Sequence, residues 1–441
     1  SIGGHDFPVL LDTGSSDLWV ISSDCTAADC LGIATYQTTP TLSLTDTPFK
    51  LGYLMGSVSG TVGYETITLG NYQICSQVFA VADQATDLSL SATGYSGILG
   101  LSFPAAASIS TTSGISLVQN LFSAFYDDSK KYFAFKLGRD DDRTEPDDSS
   151  FTIGQLDEEV LQSIGHNLSG DIQFDEMPVV ARSDGVYDYW KVPLLSLTID
   201  SQPLQLSPSR VPEASSPLAV LDTGTTLILG PTLDVENFWG SFGNGTTRKN
   251  VWSQWEVRCE RAARIGFLLG KEGHEYVVDP QDISWSGSRS GDGWCLGGIQ
   301  ANDQVNSADW ILGDVFLRVF PFSCISSRLP QNVYVKHQVP TTSQPAVVGL
   351  LQATNADSAM ARFKEQRGQD SAPPIQIRSA VHYRRRYKFT PIVLLTITWA
   401  IGFIGGSIGR LLFQRIGRCL GIRRKYMSHN TANPEVRVYS R

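Results

Sequence analysis

Short runs in which apolar and polar residues alternate, separated by clusters of Gly, Pro and Asp, fill positions 1–335. The clearest runs lie at 7–21, 61–69, 189–199, 218–229 and 310–322. Alternation with a period of two, bounded by turn-forming residues, predicts β-strands that bury one face. Between 340 and 383 the pattern changes to Pro, Ser, Thr, Gln and Ala without sustained alternation, so 336–388 reads as a stalk. Residues 390–409, TPIVLLTITWAIGFIGGSIG, are 20 positions without a charge. As a helix they cover about 30 Å, the thickness of a bilayer core, and predict one transmembrane helix over 389–410 with a tail over 411–441.

Charge sharpens this division. Residues 381–441 hold 12 basic residues against the single acid Glu435, leaving 23 basic and 43 acidic residues in the rest. A body with a balance of −20 repels nucleic acid, which removes that class of partner. Arg384, Arg385, Arg386 and Lys388 precede the apolar stretch; Arg410, Arg415, Arg418, Arg423, Arg424 and Lys425 follow it. Such flanks fit a membrane span better than a buried helix, and the polar tail argues against a lipid-anchor signal, whose apolar segment ends the chain. Gly402 and Gly406, like Gly405 and Gly409, have the small-xxx-small spacing that lets spans pair, so the expected monomer has a route to a dimer through the membrane. Cys419 suits palmitoylation or an ordinary cytosolic thiol equally.

Composition supplies the class of the larger region. Of 441 residues, 41% are hydrophobic and 18% charged, and 40 Gly accompany 44 aromatics, as in a turn-rich β protein of two or three domains. Ser1 already lies in a strand-like pattern, so a preceding portion with any signal or propeptide is expected. The Asp-rich stretch 139–148 lacks the spacing and glycine of a calcium loop and reads as solvated.

The region 1–335 is internally duplicated. Residues 10–20 read LLDTGSSDLWV and 220–230 read VLDTGTTLILG. Matching Gly-Ile-Leu-Gly and Trp-Ile-Leu-Gly segments end 88 and 91 residues after the respective aspartates. An Asp-Thr-Gly-Ser/Thr tetrapeptide arises by accident in roughly one such chain per hundred, so two at matching offsets predict two similar lobes, 1–168 and 169–335. Gly14 and Gly224 let the chain fold back and expose Asp12 and Asp222. Thr13 and Thr223 can bond backbone across the lobes, while Ser15 and Thr225 can bond their own lobe's carboxylate. Two carboxyls meeting at the interface cannot both ionise cheaply; the pair holds one proton and combines general base with general acid.

These residues resemble the pepsin-like aspartic proteases, over about three quarters of the chain. The resemblance implies a mostly β, bilobal fold with the cleft between lobes and endopeptide hydrolysis by a water held between Asp12 and Asp222, without metal or organic cofactor. It makes Tyr53, Leu54, Met55 and Gly56 the tip of a flap hairpin and Trp19 the hydrogen-bond donor to Tyr53. Cys25 and Cys30 match the small disulfide loop of the first lobe, and Cys259 and Cys295 the bridge of the second. Leu10, Tyr95 and Ile98 match one wall of the cleft, Tyr189 and Val220 the other, which implies apolar residues flanking the cleaved bond. Leu54-Met55 departs from the polar or glycine residues common there, and Ser96 from a common Asp. Ile2-Gly3 matches the dipeptide shortly before the first catalytic loop, so the first strand is expected to be absent and the interlobe sheet incomplete. Cys75 and Cys324 have no counterpart, leaving a mutual bridge, another partner or free thiols open.

The disulfides, with the sequons Asn167-Leu168-Ser169 and Asn244-Gly245-Thr246, place 1–389 in a lumen or outside the cell and make the chain a single-pass type I membrane protein. An anchored enzyme with a short tail resembles fungal proteases of the cell surface or vacuolar route. Gly-x-Ser-x-Gly occurs once, at 405–409 inside the uncharged stretch read as the span, not between a strand and a helix of the β region, and the six histidines never take a zinc-ligand spacing. The remaining rival is a non-catalytic, peptide-binding membrane protein of the same fold; retention of both Asp-Thr-Gly loops, Tyr53 and Trp19 favours the protease.

Overall fold

The computed structural model describes residues 1–138, 149–158, 174–285, 292–318, 333–352, 355–377 and 438–439. The repeat in sequence is a repeat of topology. In the N-terminal lobe Val9–Asp12 runs parallel to Gly97–Gly100, which lies antiparallel to Leu18–Ile21, which in turn runs parallel to 80–82 of Tyr72–Thr86. In the C-terminal lobe Leu218–Leu221, Trp310–Leu312, Ile228–Gly230 and Ile299–Ala301 repeat the same parallel, antiparallel, parallel series. The runs 7–21 and 218–229 are each divided into two strands by the Asp-Thr-Gly turn, where the glycine was expected to fold the chain back. The run 310–322 is a strand only to Leu312; Asp314–Leu317 turns helical. At the break Gly313 packs so close that any Cβ would overlap the Thr225 carbonyl of the neighbouring turn, and Asp314 N and Val315 N donate to Thr225 O and Thr226 O there.

Ser43–Tyr53 and Ser57–Leu69 form a long hairpin laid on Tyr72–Thr86. On the other side, Lys191–Ile199 joins Leu218–Leu221 to Ile265–Leu269. A further sheet links the lobes with five antiparallel strands in the order Ser150–Ile153, Tyr132–Lys136, Val333–Gln338, Val347–Gln352 and Asp175–Pro178. One core runs through both lobes, from Leu18 and Phe103 through Trp190 to Leu221, Phe267 and Val335. That continuity couples burial in one lobe to burial in the other.

The last two strands of that sheet correct the expected boundary at 335 and the stalk drawn from 336. Val333, Val335 and His337 alternate inward, and after a polar turn Val348 and Leu350 do the same. The turn breaks the pattern into pieces too short to stand out from a Pro- and Ser-rich composition. Asn355 then caps the helix Ala356–Arg367 by accepting from Ser358 N, and the helix buries Ala359 and Phe363. Beyond it Asp370 pairs with the buried Arg261 at 2.8 Å, and Gln376 N donates to Ser241 O at 3.2 Å. The folded body thus continues to residue 377.

Among the described residues no helix is long and apolar enough to cross a membrane. The expected span 389–410, the tail 411–441, the loop 139–148, Asn167, Cys324 and Cys419 lie outside the described residues. Cys25–Cys30 and Cys259–Cys295 are disulfides, with Cα–Cα separations of 6.1 and 5.0 Å. Cys75 is an exposed free thiol.

His337 gives the interlobe sheet a pH dependence. Its ring is fully buried, stacked on Phe133 at 4.8 Å and edge-on to Trp190 at 4.8 Å, and neither nitrogen has a hydrogen-bond partner. Burial pushes the imidazole down from 6.5 to about 3. The unfolded imidazole takes up a proton that the folded one refuses, so stability is whole above the unfolded value and declines as pH falls toward the folded one. His337→Phe is expected to spare about 2–3 kcal/mol of the stability lost on going from pH 6.5 to pH 4. Urea unfolding at several pH values measures this; an unchanged pH slope in the variant would exclude His337 as its source.

Candidate active site

Strand alternation decides which side chains meet. Val9 and Leu11 pack into the core, which turns Leu10 and Asp12 to the opposite face; Ala219 and Leu221 do the same for Leu218, Val220 and Asp222. Both aspartates are fully buried. Gly14 N donates to Asp12 Oδ1 and Gly224 N to Asp222 Oδ1, each at 2.8 Å. Ser15 Oγ donates to Asp12 Oδ2 at 2.5 Å, and Thr225 Oγ1 to Asp222 Oδ2 at 2.7 Å. Each carboxyl is held by the two residues after its own threonine.

The threonines tie the loops together. Thr13 N donates to Thr223 Oγ1 at 3.1 Å and Thr223 N to Thr13 Oγ1 at 3.0 Å. Each hydroxyl also donates across the interface, Thr13 to Leu221 O at 2.8 Å and Thr223 to Leu11 O at 2.6 Å. The glycines set the approach: a Cβ on Gly14 would lie 2.5 Å from Asp222 Oδ1, and one on Gly224 would overlap Asp12 Oδ1. Asp12 shares a hydrogen bond with Asp222. Burial first, and then the charge of Asp222, hold the Asp12 carboxyl well above the usual carboxylate range, against the opposing bonds from Ser15 and Gly14.

Above the pair, Trp19 Nε1 donates to Tyr53 Oη at 2.7 Å, with both rings buried. Burial, then the charge of Asp12, raises the Tyr53 hydroxyl. Gly56 closes the flap turn at φ +80°, where a Cβ would overlap the Thr86 carbonyl. Leu10, Tyr95, Ile98 and Tyr189 join one apolar group with Trp19 and Tyr53, while Leu54, Tyr189 and Val220 join another. Met55 is not drawn in; it is 66% exposed. Asn244 is exposed on a turn. Among the described residues no three potential metal ligands converge.

Two features escaped sequence reasoning. Asp314 is pushed up to about 7 by burial, with Arg318 opposing and Asp222 adding to the rise. Its place beside the second loop, where its N–H donates to Thr225 O at 2.8 Å, follows from the Gly313 break rather than from any motif of charge. Beneath Tyr189, Lys191 is buried and paired with Asp188 Oδ1 at 2.7 Å. Ser102 Oγ donates to Asp188 O at 2.9 Å and Trp190 Nε1 to Leu101 O at 3.0 Å, so the Tyr189 segment is fastened to the N-terminal lobe. Tyr-Asp-Tyr-Trp-Lys carried no spacing that announced this.

With two buried carboxyls facing one another under a tyrosine flap, the comparisons with known proteins agree. The family described as eukaryotic aspartyl protease matches residues 1–323, and the chain belongs to it. It is an aspartic-type endopeptidase, a hydrolase. Embryonic pepsinogen of Gallus gallus is 28% identical over 329 residues, covering 72% of this chain and 73% of that protein. Pepsin A of Sus scrofa is 27% identical over 321 residues, covering 72% and 74%. Major aspartyl peptidase 1 of Cryptococcus neoformans is 24% identical over 371 residues, covering 82% and 69%.

The threonine exchange is open to measurement. Thr223→Ala removes a hydroxyl that both accepts and donates across the interface and is expected to lower unfolding stability by about 2–3 kcal/mol, leaving the Thr13 N–H and Leu11 C=O unmet. Thr223→Ser keeps the hydroxyl and is expected to lose less than about 1 kcal/mol. Equal losses for the two variants would assign the effect to the methyl group instead.

Proposed function

We propose that the chain hydrolyses internal peptide bonds by a water molecule activated between Asp12 and Asp222. The observation that carries this reading is the approach of two buried carboxyls, each with its own two donors, close enough to share a hydrogen bond. With one proton on the pair, the ionised carboxylate takes a proton from water while the protonated carboxyl donates to the scissile carbonyl oxygen. The tetrahedral diol then collapses as the leaving nitrogen gains a proton. Tyr53, fixed by Trp19, covers the pair and limits access of bulk water. An extended polypeptide lies beneath the flap, with apolar side chains on the Leu10–Ile98 and Val220–Tyr189 walls.

The same reading extends to location. Residues 389–410 anchor the chain as a single-pass type I membrane protein, with the catalytic body in a lumen or outside the cell. The uncharged stretch with its basic flanks supports the anchor, and the two disulfides and the exposed Asn244 support the orientation.

Activity on an unfolded protein is expected to be highest in acid and to fall as pH rises, because the proton held by the raised Asp12 carboxyl is lost and with it the general acid. A statine-type peptide is expected to block it. Asp12→Asn and Asp222→Asn are each expected to lower kcat by about 10²–10⁴-fold, the usual contribution of a general acid or base. Equal cleavage by Asp12→Asn and the parent would exclude a water activated between Asp12 and Asp222, whereas a parent that binds the statine-type peptide but cleaves nothing would be a peptide receptor. For the anchor, alkaline extraction should leave the full chain in the membrane pellet and release a form ending at residue 377; release of both would remove the span.

A further inference from the structure

Leu54 stands at the flap tip, and its position is set from both ends. Behind it Tyr53 is tied to Trp19 at 2.7 Å; ahead, Gly56 closes the turn, with Tyr53 N donating to Gly56 O at 3.0 Å. The flap belongs to the N-terminal lobe, yet Leu54 packs on an apolar group of the other lobe: Leu218, Val220, Val305, Ala308 and Ile311. Val220 and Ile311 are register partners, and Val220 shares a strand face with Asp222 two residues on. Tyr189 touches this group and also the flap-side group that contains Tyr53 and Ile98. Met55 beside it points into solvent, so within the pair Leu54-Met55 it is Leu54 that reaches the wall.

We infer that Leu54 is a latch that sets specificity: it covers the apolar wall that receives the substrate side chain on the Asp222 side of the scissile bond. Lifting the flap exposes Leu54 together with Val220 and Ile311, and exposing apolar area is unfavourable. A substrate restores the burial only when it brings a large apolar side chain to the same wall. Alanine or a polar residue leaves the wall wet, and the flap returns. Leu54 thereby turns the enzyme's own burial into a threshold that weak substrates fail to cross. This inference rests on hydrolysis at Asp12 and Asp222.

A matched series of peptides differing only in the residue after the scissile bond (Ala, Val, Leu, Phe) tests it with the parent chain, Leu54→Ser and Leu54→Phe. The parent is expected to favour Leu and Phe over Ala in kcat/KM. Leu54→Ser is expected to narrow that ratio on the order of tenfold, equivalent to half-burying one leucine, chiefly by a gain on the Ala peptide. Leu54→Phe is expected to widen the ratio, and it carries the test should the serine variant fail to fold, which binding of a statine-type peptide reports. A uniform change across all four peptides in both variants would overturn the latch while leaving hydrolysis intact. A parent chain that cleaves none of them in acid would instead overturn the hydrolytic reading, and the latch with it.

Discussion

Four hydrogen bonds between Thr13 and Thr223 and the backbone of the opposite strand ends hold two buried carboxyls face to face, and the other features of the site depend on that exchange. The exchange holds them together although burial and the charge of Asp222 both oppose ionisation of Asp12. The threonines bond directly to the strands that end in the aspartates, so the carboxyls are positioned by sheet rather than by flexible loop. Gly14 and Gly224 then leave out the Cβ atoms that would collide with the opposing carboxyl. The flap, the wall residues and the fastened Tyr189 segment surround an arrangement already fixed from below.

Much of this was legible in the sequence because local chemistry dictated it. Asp-Thr-Gly after an apolar run has few physical uses, and two copies at matched offsets required a paired arrangement. Trp19 and Tyr53, and both disulfides, were found where the family resemblance put them. Legibility failed where long-range packing overrode local pattern. The strands 333–338 and 347–352 are short, separated by a polar turn, and defined by partners more than 150 residues away, so their composition resembled a stalk. The break at Gly313 is bonded to the Thr225 and Thr226 carbonyls of another turn, a long-range contact that the local pattern does not announce. Leu54 looked like a lost polar contact; only the fold reveals that it spans the cleft.

Titration imposes opposing demands on the molecule. The raised Asp12 and Asp314 favour folding in acid, because unfolded carboxyls release protons as pH rises while these two keep theirs. The buried imidazole of His337 works against acid, from the centre of the sheet that joins the lobes. The proposed catalysis calls for a proton on the pair, and the interlobe sheet calls for none on the histidine. Both conditions hold together only between the lowered histidine and the raised carboxyls, a window set by two groups on different layers of the fold.

The contacts around the aspartates are reciprocal: Thr13 to Thr223 and back, Gly14 against Asp222 and Gly224 against Asp12. That is the pattern of an isologous interface between two identical subunits, here carried inside one polypeptide. Two separate halves would have to find each other, and the fraction assembled would fall with dilution. Joined in a single chain, the halves associate at a fixed effective concentration, so the paired state persists however scarce the protein becomes. The same covalent link frees the two copies to diverge, which is how one half alone could acquire a flap and a latch while both kept their aspartate.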